Sequence, residues 1–248
     1  MRQRAEAILA DWRSWAPTLT SPPQLLDELP GGRTNHSYLV RLVEEQAVLR
    51  LNAANSEALG IDRRREQILH DLAAAAGLAP RLLVCDADFR FVITEYIDGR
   101  QWSRQDLTHA AGRQRVRDLI AAVQALPVTL PRFDYPAYIE RYWLLLSQRR
   151  PEVLPPLIER HEAVMRDVLA LHRAPWQAVV AHHDLNPENL IERAGRLYLL
   201  DWEYAGCGHP EIDRLLIDVD NVDPRLRVLS EWMNQLWELL HQKDDSGA

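Results

Sequence analysis

The chain has 248 residues, 47% of them hydrophobic, which allows one large domain or two closely joined lobes with a substantial core and argues against a disordered chain. A net charge of −7 argues against a nucleic-acid surface, which would show a basic stripe. Two isolated cysteines, Cys85 and Cys207, offer neither a disulfide framework nor a CxxC zinc site, and no run of roughly eighteen uncharged apolar residues suggests a membrane span. The basic start Met1-Arg2-Gln3-Arg4 runs into Glu6, Asp11 and Arg13 rather than an apolar stretch, so no export is indicated and a cytoplasmic location is expected.

Ala5 to Trp15 carries Ile8, Leu9, Trp12 and Trp15 at helical spacings before the breakers Pro17 to Pro23. Leu25–Leu29, Tyr38–Val43 and Ala47–Leu51 read as strands, with Gly31-Gly32 in the first turn and Glu44-Glu45-Gln46 in the second. Ser56 to Ala76 is helical in pattern, with Gly77 placed as a C-cap glycine. Arg81–Val84 and Phe91–Tyr96 are further strands, and Asp98-Gly99-Arg100 is a candidate hinge. Helical periodicity then covers Arg104–Leu126, Pro136–Gln148, Pro155–Leu171 and Glu211 to about His241, with short strands at Leu190-Ile191 and Leu197–Leu200 and a frayed tail from Lys243.

The most specific signal is His182-His183-Asp184-Leu185-Asn186-Pro187-Glu188-Asn189, followed by the apolar run Leu197–Leu200 and Asp201. An H-x-D with an Asn five residues after the Asp, and then a second Asp behind a strand, matches a kinase catalytic loop and its metal-binding aspartate. Taken singly, these are common turn and cap residues. As an ordered set they supply what phosphoryl transfer needs: Asp184 to orient the acceptor hydroxyl, with His182 in the leading histidine position, and Asn189 and Asp201 as oxygen ligands for Mg2+.

The chain resembles the choline/ethanolamine kinase and aminoglycoside phosphotransferase superfamily. The words Gly31-Gly32-Arg33-Thr34-Asn35-His36-Ser37-Tyr38, Val48-Leu49-Arg50-Leu51, Thr94-Glu95-Tyr96-Ile97-Asp98-Gly99, His182 to Asn189 and Asp201-Trp202-Glu203-Tyr204-Ala205-Gly206 occur in that order, from about Leu25 to Asp220. The last word is most similar to the choline and bacterial thiamine kinases. The resemblance implies an α+β, bilobal protein-kinase-like fold: residues 1–98 form a nucleotide-binding lobe with an antiparallel five-stranded sheet and one helix, and residues 99–248 a mainly helical lobe with the catalytic loop and acceptor site.

On this reading ATP meets the glycine turn at Gly31, Gly32, Thr34 and Asn35, the cation Arg50 on the third strand, and the backbone of Glu95 to Ile97. Arg stands where the general kinase pattern has Lys, and its planar fork suits phosphate. Glu66 shares a helical row with Leu59 and Ala73, and a carboxylate buried there needs a partner; Arg50 is the expected one. Asp213 follows the D-W-E-Y-A word and is placed to brace the catalytic loop.

The acceptor is read as a small hydroxylated metabolite, a cationic alcohol such as choline or thiamine, met by Asp184, Glu203, Trp202 and Tyr142. Tyr138, Trp143 and Trp232 are further candidates for an aromatic cation pocket, with Glu140 or Glu203 as counter-charge. No nucleic-acid or membrane partner is expected. Only 47 residues follow Asp201, fewer than the family commonly carries, so a more open pocket or a covering subunit, as in a homodimer, is consistent with the sequence. The alternatives are an amino-sugar or aminoglycoside phosphotransferase, a metal-dependent phosphohydrolase using His182, His183, Asp184, Asp201 and His209, and a non-catalytic nucleotide-binding module.

Overall fold

The computed structural model describes residues 1–30 and 34–242. Gly31, Gly32 and the tail from Lys243 lie outside the described residues.

In chain order the elements are α1 (Arg2–Ala10), α2 (Trp12–Trp15), β1 (Gln24–Glu28), β2 (His36–Leu42), β3 (Glu45–Leu51), α3 (Arg63–Ala75), β4 (Leu82–Cys85), β5 (Phe91–Glu95), β6 (Arg100–Gln101) and α4 (Ala110–Gln124). They continue with α5 (Tyr135–Arg149), α6 (Ile158–Arg173), β7 (Val179–Ala181), β8 (Leu190–Arg193), β9 (Arg196–Leu199), β10 (Gly206–Gly208) and α7 (Pro224–His241). This is an α+β chain.

The contacts divide it into two units. One comprises Met1–Ser56, Asp62–Asp106 and Asn186–Glu203; the other comprises Glu57–Ile61, Leu107–Leu185 and the residues from Tyr204 on. The sequence reading cuts the chain once, after residue 98, whereas here the β8–β9 hairpin returns to the first unit. Two attachments account for that: β6 pairs with β8, and Leu199 N–H donates to Leu78 O at 2.7 Å.

The first unit holds an antiparallel sheet of order β1-β2-β3-β5-β4. Side chains alternate across a strand, so Ala47, Leu49 and Leu51 of β3 share one face with Tyr38 and Val40 of β2 and Phe91 and Ile93 of β5. Ala5 and Leu9 of α1 belong to this core. Arg50, one residue out of phase, therefore leaves from the opposite face, the one that meets α3.

Helix α3 starts later than its composition suggests. Residues 54–60 form turns, Gly60 takes φ 74°, and the Asp62 side chain caps the helix by accepting from Arg64 N and Arg65 N at 3.1 and 3.0 Å. Leu59 is consequently absent from the helical row and lies in the second unit's core. The buried row is Arg63, Glu66, Leu69 and Ala73. Gly77, at φ 72°, ends the helix as expected, with Leu78 N–H donating to Ala73 O at 2.8 Å.

The second unit's core joins α5, α6 and α7 through Ile139, Leu146, Val164, Val168, Leu229 and Leu236. Those of α5 and α7 are seven residues apart and those of α6 four, spacings that keep each pair on one helix face. Between Ile212 and Asn221 the chain makes two short 3-10 turns, Ile212–Leu216 and Val219–Asn221, rather than the α-helix that periodicity suggests. Asp223 then caps α7 by accepting from Arg225 N at 2.9 Å.

Candidate functional site

Arg50 is the centre of a polar cluster in the first unit. Its Nε donates to Asn52 Oδ1 at 3.1 Å, its Nη1 to Asp201 Oδ1 at 3.0 Å and its Nη2 to Glu66 Oε1. The expected Arg50–Glu66 pair is thus present. Burial opposes the charge on Glu66, but Arg50 and Arg63 together hold its carboxyl below the ordinary carboxylate range.

Asp201 leaves β9 at φ 58°, a left-handed conformation that costs a non-glycine residue about 1 kcal/mol or more. It is held there from both sides. Leu200 N–H donates to Asn189 O at 2.8 Å, and the indole of Trp202 donates to Leu199 O at 2.9 Å. Because Leu190 pairs with Leu199, Asn189 and Asp201 stand at the same open end of the β8–β9 hairpin. Asn189 is itself fixed by the Asn186 cap of the 3-10 turn Pro187–Asn189, its N–H donating to Asn186 Oδ1 at 3.0 Å.

An amide oxygen and a carboxylate so placed fit magnesium, which takes hard oxygen donors and fills its remaining positions with phosphate and water. Among the described residues there is no group of three or more His, Cys, Asp or Glu able to hold a metal, so the phosphohydrolase ligand set is not assembled.

In the second unit, His182 to Leu185 form the first half of the loop whose spacing matches a kinase catalytic loop. Asp213 braces it, accepting from His182 N at 2.7 Å and from His183 N at 2.9 Å. Burial pushes the Asp213 carboxyl up, against the lowering effect of His182 and these bonds. His182 itself is fully buried. His183, at φ 64°, has Nδ1 3.1 Å from Tyr204 O and Nε2 3.0 Å from the Tyr135 hydroxyl, which also accepts from His209 N at 2.9 Å. The carbonyl can only accept, so Nδ1 carries a proton. Asp184 follows this doubly anchored residue.

Several sequence expectations are relocated. Glu203, expected at the acceptor, lies in the 3-10 turn Trp202–Tyr204. Its side chain is 3% exposed and accepts from Asn35 Nδ2 at 2.7 Å and Arg63 Nη1 at 3.1 Å. Burial, with Asp201 nearby, pushes the Glu203 carboxyl up to about 7. Asn35, placed by the sequence at the phosphates, is buried in the same cluster and also accepts from Ala53 N at 3.2 Å. Thr34 is half-buried at the bend before β2.

Trp202 and Tyr142 are both 0% exposed, the latter with its hydroxyl on Leu59 O at 3.2 Å, so both are core residues and not walls of an acceptor pocket. Trp232 is buried against His161, on which Trp143 stacks at 3.9 Å. Ile97 is buried, and the Glu95 carboxylate pairs with Arg81 and Arg193 at 3.1 and 3.7 Å.

The residue that sequence reasoning missed is Arg63. It pairs with Glu66 at 2.7 Å and Glu203 at 3.1 Å. Its only sequence signal is its position three residues before Glu66, on the same helical face.

The fold and this arrangement define a protein-kinase-like phosphotransferase architecture. The model of the phosphotransferase enzyme family matches residues 26–239, and the chain belongs to that family. It is similar to the LicA protein of Haemophilus influenzae, 26% identical over 193 residues that make 74% of this chain and 54% of that protein. The alignment therefore spans about half the length of that relative. It is also similar to thiamine kinase of Escherichia coli, 22% identical over 217 residues, 83% of this chain and 73% of the relative. The solved structure of choline kinase LicA from Streptococcus pneumoniae shares the fold, with a TM-score of 0.73 at 20% identity over 99% of this chain and 92% of that one. Among the described residues no helix is long and apolar enough to cross a membrane.

Proposed function

We propose that the chain is an ATP- and magnesium-dependent kinase that transfers the γ-phosphoryl group to a hydroxyl of a small metabolite, with a cationic alcohol such as choline or thiamine as the acceptor. The observation that carries this reading is Arg50, fixed between Glu66 and Asp201 on the sheet face that meets α3.

Phosphoryl transfer asks for positioning and electrostatic stabilisation more than for covalent chemistry. Arg50 presents a guanidinium to the nucleotide phosphates, with three of its five N–H groups already used to hold the fork in place. From the sequence, the glycine pair Gly31-Gly32, which lies outside the described residues, and Thr34 are assigned to the phosphates, and the backbone of Glu95 and Ile97 to the adenine. Asn189 and Asp201 would hold the magnesium ion, which would supply positive charge to the nucleotide phosphates. Asp184 accepts a hydrogen bond from the acceptor hydroxyl, orients it and takes its proton. Asp213 and His183 keep the loop that carries Asp184 in position.

The cationic alcohol is supported by the names of the thiamine kinase relative and of the choline kinase LicA structure and by the D-W-E-Y-A word at Asp201, not by an aromatic cage, since Trp202 and Tyr142 are core residues. The test is a panel of acceptors assayed for ADP release and for product mass: choline, ethanolamine and thiamine against neutral sugars, amino sugars and aminoglycosides. One added phosphoryl group on a cationic alcohol supports the reading. Preference for a neutral sugar rejects the charge argument, and preference for an aminoglycoside or amino sugar replaces the acceptor class. ATP turnover with no phosphorylated acceptor anywhere in the panel sinks the acceptor reading altogether.

A further inference from the structure

Arg63 is a costly residue to find where it is. It opens α3, where the helix dipole disfavours a cation, and its side chain is only 8% exposed. A buried guanidinium persists only when its donors are met. Here all three nitrogens have partners: Nε reaches Ser56 Oγ at 3.1 Å, Nη1 reaches Glu66 Oε2 at 2.7 Å and Glu203 Oε2 at 3.1 Å, and Nη2 reaches Asn35 Oδ1 at 3.1 Å and Ser56 Oγ at 2.8 Å.

These contacts join four separate stretches of the first unit: the start of β2, the segment after β3, α3 and the turn after β9. Glu66 is divided by them, with Oε2 held by Arg63 and Oε1 turned to Arg50. A carboxylate held on one oxygen by a fixed fork cannot rotate without losing a buried charge-assisted bond, so the other oxygen stays aimed at Arg50.

We propose that Arg63 is a positioning residue for phosphate binding, acting through Glu66 on Arg50, with Ser56, Asn35 and Glu203 fixing Arg63 itself. This rests on the nucleotide reading above and adds to it a residue outside the kinase motifs. Arg63 does not touch the nucleotide.

The experiment is titration of the full chain with the non-hydrolysable nucleotide AMP-PNP in the presence of Mg2+, with a thermal melt for every variant. Arg63→Lys keeps a cation between the two carboxylates but loses the fork, and Ser56→Ala removes one anchor and leaves every charge in place. Arg63→Lys is expected to weaken AMP-PNP binding by about tenfold and Ser56→Ala by about threefold, within the range of coupling between contacting residues. In a Glu66→Gln background Arg63→Lys should add no further loss, because the group it positions is gone.

Losses that multiply in that background would mean that Arg63 acts on the fold generally, and would overturn the proposal. So would wild-type affinity in both Arg63→Lys and Ser56→Ala. If the wild-type chain itself fails to bind AMP-PNP with Mg2+, the nucleotide reading falls and this inference falls with it, an outcome separate from the first two.

Discussion

Arg50 Nη1 donates to Asp201 Oδ1 at 3.0 Å, joining the third strand to a residue 151 positions later in the chain. The two groups assigned to phosphate and to metal are therefore each other's counter-charge. On the proposed reading one acts directly on the nucleotide and the other only through a cation, so their removal should be distinguishable. Asp201→Ala should abolish the magnesium dependence of AMP-PNP binding, whereas Arg50→Ala should weaken binding with and without magnesium. Calorimetric titration of both variants under both conditions is the check, and identical behaviour would remove the division of roles.

Asp184→Asn retains the size of the side chain and removes the carboxylate. Turnover with the acceptor identified by the panel should drop by roughly a hundredfold or more, the scale of general-base contributions. AMP-PNP affinity should stay near wild type, since the nucleotide contacts are assigned to other residues. Near-normal turnover would take Asp184 out of the base role.

The brace behind the loop makes a separate prediction. Asp213→Ala leaves the N–H groups of His182 and His183 without their acceptor, and a buried donor so stranded costs about 1–3 kcal/mol. The variant should melt at lower temperature and lose turnover while still binding AMP-PNP in the folded state. A variant with unchanged turnover would show that the loop needs no brace from Asp213.

Much of the first unit was legible because its signals are local. Alternation marked the strands, Gly77 marked the end of α3, and a carboxylate on an apolar row pointed to a cationic partner. The start of α3 was not, because residues 56–60 have helical composition and only the Gly60 turn and the Asp62 cap override it. Arg63 was hidden in Arg63-Arg64-Arg65, a run that normally reads as a solvated face, since its partners Asn35, Ser56 and Glu203 are joined only by folding. The aromatic pocket was over-read for a different reason: Ile139, Tyr142 and Leu146 share one stripe of α5, and that periodicity places Tyr142 in the core before any ligand is considered. The strands β6, β7 and β10, each three residues or fewer, are too short to show alternation and are defined by their partners alone.

A pH effect on stability follows from the turn between β4 and β5. Asp86 is buried and accepts from Arg90 N at 2.9 Å, Nε at 2.8 Å and Nη2 at 2.7 Å, and the Arg90 side-chain bond above all holds its carboxyl below the usual 3.8. The folded value is the lower one, so the stabilisation is complete above about 3.8 and is lost as the pH falls through the folded value. Arg90 is 61% exposed, which keeps the expected cost of Asp86→Asn at neutral pH to about 1 kcal/mol. Denaturant melts of wild type and variant should converge below that pH. A constant gap down to the acid limb would show that the carboxylate's charge is not the source.

Gly208 of β10 tests whether the histidine beside Asp184 needs its exact place. A Cβ there would lie 2.3 Å from His183 Nε2 and 2.6 Å from the Tyr135 hydroxyl. Neither neighbour can yield cheaply: the imidazole is held by Tyr204 O as well as by Tyr135, and the Tyr135 hydroxyl also accepts from His209 N. Gly208→Ala should therefore shift His183 and the loop that follows it, at about 1–3 kcal/mol of stability, the usual cost of overpacking. Because Gly208 and His183 both lie in the second unit, while Arg50, Glu66 and Asp201 lie in the first, turnover should fall by more than nucleotide affinity does. Measuring both on the same preparation separates the outcomes. Equal losses in turnover and in AMP-PNP affinity would indicate a general weakening of the fold, and no loss in either would show that the loop tolerates displacement of His183.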